Sequence, residues 1–130
     1  MRRNSLRRTP EAVLQADVII DERLQVNFHQ RHARVDGHTI SLTPIESRLL
    51  KLLYQRRGCV VTPGLMLAVA WGEARTGSLA SLWVHLCRLR GKVEPDPPHP
   101  RYIVTVSGRG YTLPSTGSMV MSPAQEGSTQ

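Results

Sequence analysis

With 130 residues the chain has room for one domain with a real hydrophobic core, and too little for two ordinary domains and a linker. Seventeen Lys and Arg against ten Asp and Glu leave a net charge of +7, which favours a polyanionic partner, nucleic acid or an anionic membrane surface. The longest nearly uncharged apolar stretch, Cys59 to Trp71, contains Pro63 and Gly64 and falls short of the roughly 20 residues of a spanning helix. The basic N-terminus lacks the apolar run and small-residue cleavage site of a secretory signal. A cytoplasmic protein without a membrane span is therefore expected. Cys59 and Cys87 form no CxxC pair and read as small buried hydrophobes in a reducing compartment.

Residues 1–16 carry four arginines in the first eight positions and no periodic apolar residues, so they read as a flexible basic arm. Val18-Ile19-Ile20 is a short β-prone run, and Leu24, Val26 and Phe28 alternate with polar residues as in a half-buried strand. Ala33-Arg34-Val35 and Thr39-Ile40-Ser41-Leu42 flank Asp36-Gly37, a pair that tolerates the positive φ of a tight hairpin.

Thr43-Pro44-Ile45-Glu46 then combines an N-cap, a proline suited to the first helical turn and a glutamate placed to close a capping box. A helix over about 44–57 follows, with Ile45, Leu49, Leu52 and Leu53 on one face, Arg56 and Arg57 at the favourable dipole end and Gly58 as the stop. Thr62-Pro63 repeats the start signal, and Leu65 to Trp71 is apolar almost all round before Gly72, which predicts a helix buried on most sides. A third helix is expected over 79–93. Its Leu79, Leu82, Leu86, Leu89 and Val93 share one arc, while Ser81, His85, Arg88 and Lys92 form a polar and basic stripe. Pro95, Pro97, Pro98 and Pro100 enforce an irregular connector. Tyr102–Val106 and Tyr111–Leu113 then read as strands of a hairpin around Ser107-Gly108-Arg109-Gly110. Residues 115–130 are small and polar and read as a disordered tail.

This order of elements, an α+β arrangement over 17–114, carries four motifs in sequence: Ser41-Leu42-Thr43-Pro44-Ile45-Glu46 with Leu49-Leu50, then Trp71-Gly72, then Val84 to Arg90, and Val104 to Tyr111. On these the chain resembles the C-terminal effector domain of OmpR/PhoB-type bacterial response regulators, over about three quarters of its length. The resemblance implies a winged helix-turn-helix with an N-terminal antiparallel sheet, three helices and a C-terminal wing. It further implies a sequence-specific transcriptional regulator acting at the nucleoid without cofactor, and not an enzyme. The third helix would enter the major groove of double-stranded DNA and the hairpin would lie over the minor groove. Arg88, mid-stripe, is the expected base reader, because a guanidinium can donate two hydrogen bonds to a guanine edge; Ser81 and Val84 are placed beside it. His85, Arg90, Trp71, Thr105 and Tyr111 match phosphate-contacting positions of the family, Lys92 joins them from the stripe, and Arg109 is the wing cation. The loop Glu73, Ala74, Arg75 and Thr76 would face RNA polymerase, and a second copy would bind a neighbouring half-site as a dimer on DNA.

Three positions depart from the family pattern: Ala80 and Ser107 replace usual arginines, and Trp83 stands where an acidic residue is common. Rim packing is the expectation for Trp83. About sixteen residues precede the first strand, too few for the usual receiver domain, so either regulation differs or the chain is a fragment. Two rival functions follow from the residues. His29, His32 and His38 suggest a metalloenzyme, but no further ligand or HExxH helix completes a site. A winged helix acting mainly by contact with RNA polymerase or another regulator is the alternative, supported by Ala80, Ser107 and Trp83.

Overall fold

The computed structural model describes residues 17–72 and 77–115. The basic arm, the C-terminal tail beyond Ser115 and the four loop residues Glu73, Ala74, Arg75 and Thr76 lie outside the described residues. The chain opens with four antiparallel strands in sequential order, β1 (Val18–Ile19), β2 (Leu24–Asn27), β3 (His32–Val35) and β4 (His38–Ser41). Asp36 and Gly37 both take positive φ, 50° and 84°, and Val35 pairs directly with His38, the two-residue hairpin expected from that dipeptide. Alternation buries Leu24, Val26, Ala33 and Val35 on one face. Phe28 is buried in the turn after β2 rather than in the strand itself.

Helix α1 (Pro44–Gln55) begins as its start signal requires: the Thr43 side chain accepts from the Glu46 N–H at 3.1 Å and Glu46 Oε1 accepts from the Thr43 N–H at 2.9 Å. Leu49, Leu50, Leu52 and Leu53 are buried. Helix α2 (Pro63–Trp71) is capped by Thr62 and ends at Gly72, whose φ is 68°. Its expected envelopment does not occur. Only Met66 and Ala70 are buried, and Val69 is 41% exposed. A nine-residue helix at the molecular surface can pack one face, so its uniform apolarity did not report its surroundings.

Helix α3 (Leu79–Val93) buries Leu82, Leu86, Leu89 and Val93. Leu79, expected in the same arc, is 64% exposed, because the first residue of the helix lies beyond the core that α1 and α2 cover. The final hairpin is β5 (Val104–Val106) with β6 (Gly110–Thr112). Tyr102 and Ile103 are buried but lie outside β5. The Glu94 carboxylate takes their backbone N–H groups and that of Arg101, at 2.6–3.1 Å, so these donors are used locally instead of in a ladder. Both cysteines also depart from expectation: Cys59 is exposed in the segment after α1, and Cys87 is half-buried on the flank of α3. No helix among the described residues is long and apolar enough to cross a membrane.

Candidate nucleic-acid interface

Helix α3 is pinned along its inner side and free along its outer one. Its N-terminus is capped by Ser78, whose Oγ accepts from the Ser81 N–H at 3.1 Å and donates to Ser81 Oγ at 3.2 Å. Ser81 keeps its hydroxyl proton for an outside acceptor. Val84 is half-buried one turn on, and Arg88 is exposed with no partner among the described residues.

The two cations that follow Arg88 in the helix have a different situation. Arg90 donates from Nε and Nη2 to the Ile103 carbonyl at 3.0 and 2.8 Å and from Nη2 to Thr105 Oγ1 at 2.7 Å, with its guanidinium 5.7 Å from the Tyr111 ring centre. A planar fork bridging a helix to a hairpin fixes the angle between them. Lys92 Nζ lies 2.6 Å from the buried Glu46 carboxylate and donates to the Ser41 carbonyl at 3.0 Å, tying α3 to α1 and to the end of β4. The ammonium that the sequence assigns to a phosphate is thus engaged inside the molecule.

His85 Nδ1 is 2.7 Å from the Ser81 carbonyl. A carbonyl only accepts, so Nδ1 carries a proton. Its imidazole meets Trp71 edge-on at 5.3 Å. Gly77 lies against the same indole: a Cβ there would come within 2.3 Å of it. Trp71 is therefore packed between two neighbours at the junction of α2 and α3, half-buried.

The hairpin joins this surface through Gly110. Its φ of 151° and the Val61 carbonyl, only 2.1 Å from where a Cβ would sit, leave room for glycine alone. Val61 and Tyr111 exchange backbone hydrogen bonds at 2.7 and 2.9 Å, so the segment before α2 acts as a third partner of the wing. Ser107, Gly108 and Arg109 form the exposed tip, with Gly108 at φ 74°. Thr105 accepts from Arg90 and keeps its hydroxyl proton; Tyr111 is half-buried.

The rival metal set is not assembled. His29 is exposed in a turn, and His32 and His38 sit at different rungs of the β3–β4 ladder, opposite Ser41 and Val35. No group of three or more ligand-type residues occurs among the described residues.

Sequence reasoning missed two features. Trp83, expected to pack at a rim, is 60% exposed beside Leu79; its position beyond the apolar arc was the available signal. Glu94, buried and receiving three backbone donors, carried no signal beyond standing between a helix end and a proline.

A sheet followed by three helices, the last flanked by a two-stranded wing, defines a winged helix-turn-helix protein. Residues 36–113 match the family described as "Transcriptional regulatory protein, C terminal", and the chain belongs to that family, the DNA-binding domains of response regulators. It is a family of transcriptional regulators and not of enzymes. Among curated proteins, the transcriptional regulatory protein KdpE of Mycobacterium tuberculosis is 37% identical over 105 residues, covering 81% of this chain and 46% of KdpE. The chain thus spans about half the length of the curated relatives it matches. Among solved structures, the DNA-binding domain of CpxR from E. coli has a TM-score of 0.61 at 32% identity, over 77% of this chain and 97% of that one. The Thermotoga maritima response regulator DrrB, an OmpR/PhoB homologue, reaches 0.67 at 27% identity, over 76% and 44%.

Proposed function

We propose that the chain binds double-stranded DNA sequence-specifically, with α3 in the major groove and the β5–β6 hairpin at the adjacent minor groove. One observation carries this reading: α3 is locked by its inner face to the core and by Arg90 to the hairpin, while Arg88 on its outer face is exposed and unpaired among the described residues. A rigid helix that presents a free guanidinium is suited to a guanine edge. Ser81 and Val84 line the approach. Thr105, with a hydroxyl proton to spare, Trp71 and Tyr111 meet phosphates and so set register rather than sequence. His85, beside Trp71, joins them in this reading. Arg109 at the exposed tip enters the minor groove, where a narrow A·T tract attracts a guanidinium. Arg90 and Lys92 serve as positioning residues, since their donors already hold the hairpin, β4 and α1.

RNA polymerase at the loop 73–76 and a second copy on an adjacent half-site belong to the same reading, carried over from the family resemblance. The experiment is a titration of duplex DNA at graded salt. Contact with several phosphates makes log affinity fall linearly with log salt, at about 0.9 per phosphate neutralised. A flat response overturns the reading. A second reading, docking of another protein on α3, is favoured by the exposure of Leu79 and Trp83.

A further inference from the structure

The outer face of α3 carries far less charge than a DNA-reading helix would be expected to show. At 3.6 residues per turn, the half of the helix away from the buried Leu82, Leu86, Leu89 and Val93 presents, in angular order, Trp83, Cys87, Ala80, Gly91, Val84, Arg88, Ser81 and Lys92. Lys92 closes this arc, but its ammonium is held by Glu46 and the Ser41 carbonyl, and the guanidinium of Arg90, just outside the arc, is turned onto Ile103 and Thr105. Among the described residues Arg88 is therefore the one free cation on a surface whose other members are apolar, small, a serine or the engaged Lys92. Its largest member is Trp83, 60% exposed, next to Leu79 at 64%. The Trp83 indole N–H has no acceptor among the described residues, so the side chain offers an apolar ring and an unused donor together.

Resting on the DNA-binding reading, we infer that Trp83, supported by Leu79, reads thymine in the major groove. Thymine alone presents a methyl group beside an acceptor, its C5-methyl and O4. Cytosine places a donor where the indole N–H would meet it, and guanine and adenine carry no methyl. Trp83 and Arg88 are five residues apart, about 7.5 Å along the axis or roughly two base steps and about 140° around it, so the two long side chains flank the outward line of the helix and approach bases of different steps from either side of it. The patch is too small for the competing occupant. Two side chains fall well below the ~800 Å² that a stable protein interface takes from each partner, and the surrounding Ser78, Ser81 and Arg88 are polar.

The test uses the full chain and the tightest-binding duplex recovered by it from a random-sequence pool. Each thymine is replaced singly by uracil, which removes the methyl and nothing else. At one or two positions the wild type should lose about fourfold in affinity, the effect of one methyl-sized group. Trp83→Ala should show no response at those positions, and Trp83→Phe, which keeps a ring without the N–H, should still respond. The exposure of residue 83 makes both variants foldable, and a thermal melt checks it. Neutral uracil substitutions throughout, or a full uracil response retained in Trp83→Ala, overturn the inference while leaving DNA binding intact. A Trp83→Ala variant that reads every duplex as the wild type does but loses association with RNA polymerase overturns it in favour of a protein occupant. If no recovered duplex binds better than random DNA, sequence-specific reading falls, and this inference with it.

Discussion

Arg88, Arg90 and Lys92 occupy neighbouring turns of one helix and carry the same charge, yet their environments give them different work. Arg88 holds nothing among the described residues, whereas Arg90 makes three hydrogen bonds to Ile103 and Thr105 and Lys92 pairs with a buried carboxylate. Removing Arg88 exposes no orphaned partner; removing Arg90 leaves the Ile103 carbonyl and the wing angle unsupported. Arg88→Ala should therefore change unfolding stability by no more than about 0.5 kcal/mol while costing about 1–3 kcal/mol of base discrimination at one position. Arg90→Ala should cost about 1.5–3 kcal/mol of stability, the range for hydrogen bonds to a charged group. It should weaken binding to all duplexes alike. Denaturant melts beside competition binding check both, and equal selectivity profiles for the two variants would contradict the division. Arg90→Lys should not rescue, because a point charge cannot span the carbonyl and the hydroxyl as the planar fork does.

At the scale of elements, the wing is less autonomous than a hairpin read from sequence. Its two strands are three residues each, too short for independent stability, and the Val61 segment, Arg90 and Glu94 fasten it from three directions. Gly110 is the point where the hairpin backbone touches the segment before α2. Gly110→Ala would drive a methyl into the Val61 carbonyl at a φ that L-residues rarely adopt. A loss of about 1–3 kcal/mol or more is expected, read as a lower denaturant midpoint. The amide protons of Val61 and Tyr111, which now exchange hydrogen bonds, should lose protection from solvent exchange. Unchanged protection would show that the segment and the wing are not coupled.

Across the whole molecule, the N-terminal sheet is tied to the end of α3 by polar contacts. The Asp21 carboxylate accepts from the Tyr102 hydroxyl at 2.7 Å and from the N–H groups of Arg23 and Leu24 at 2.9 and 2.8 Å. Arg23 in turn donates to the Val93 carbonyl at 2.7 Å and pairs with Asp36 at 2.9 Å. Burial alone would raise the Asp21 carboxyl, but the Tyr102 hydroxyl, the two backbone donors and the Arg101 charge outweigh it and hold it below the ordinary 3.8. Burial pushes the Tyr102 hydroxyl up, so it stays a donor. A carboxyl depressed in the folded state adds stability that is complete above its unfolded value and disappears as pH falls through the folded one. Asp21→Asn should accordingly be less stable than wild type at pH 6, and the gap should narrow steadily as pH drops below about 4. A gap independent of pH, measured by urea unfolding, would show that Asp21 acts without its charge.

What the sequence determined by itself was whatever depends on neighbours along the chain. Thr43 with Pro44 and Glu46, Thr62 with Pro63, and the Asp36-Gly37 turn started and reversed elements where they were expected, because caps and tight turns are satisfied within a few residues. The buried face of α3 from Leu82 onward was equally legible, since helical period places it without reference to anything else. Tertiary structure decided which surfaces had partners. Leu79, Val69 and Trp83 are as apolar as their buried neighbours and are exposed because none of the described elements covers them. Arg90 and Lys92 look like free cations in the sequence, but their partners Ile103, Thr105, Glu46 and Ser41 lie 13 to 51 residues away in the chain. Such pairings follow from how elements pack against one another, and local periodicity carries no information about that distance.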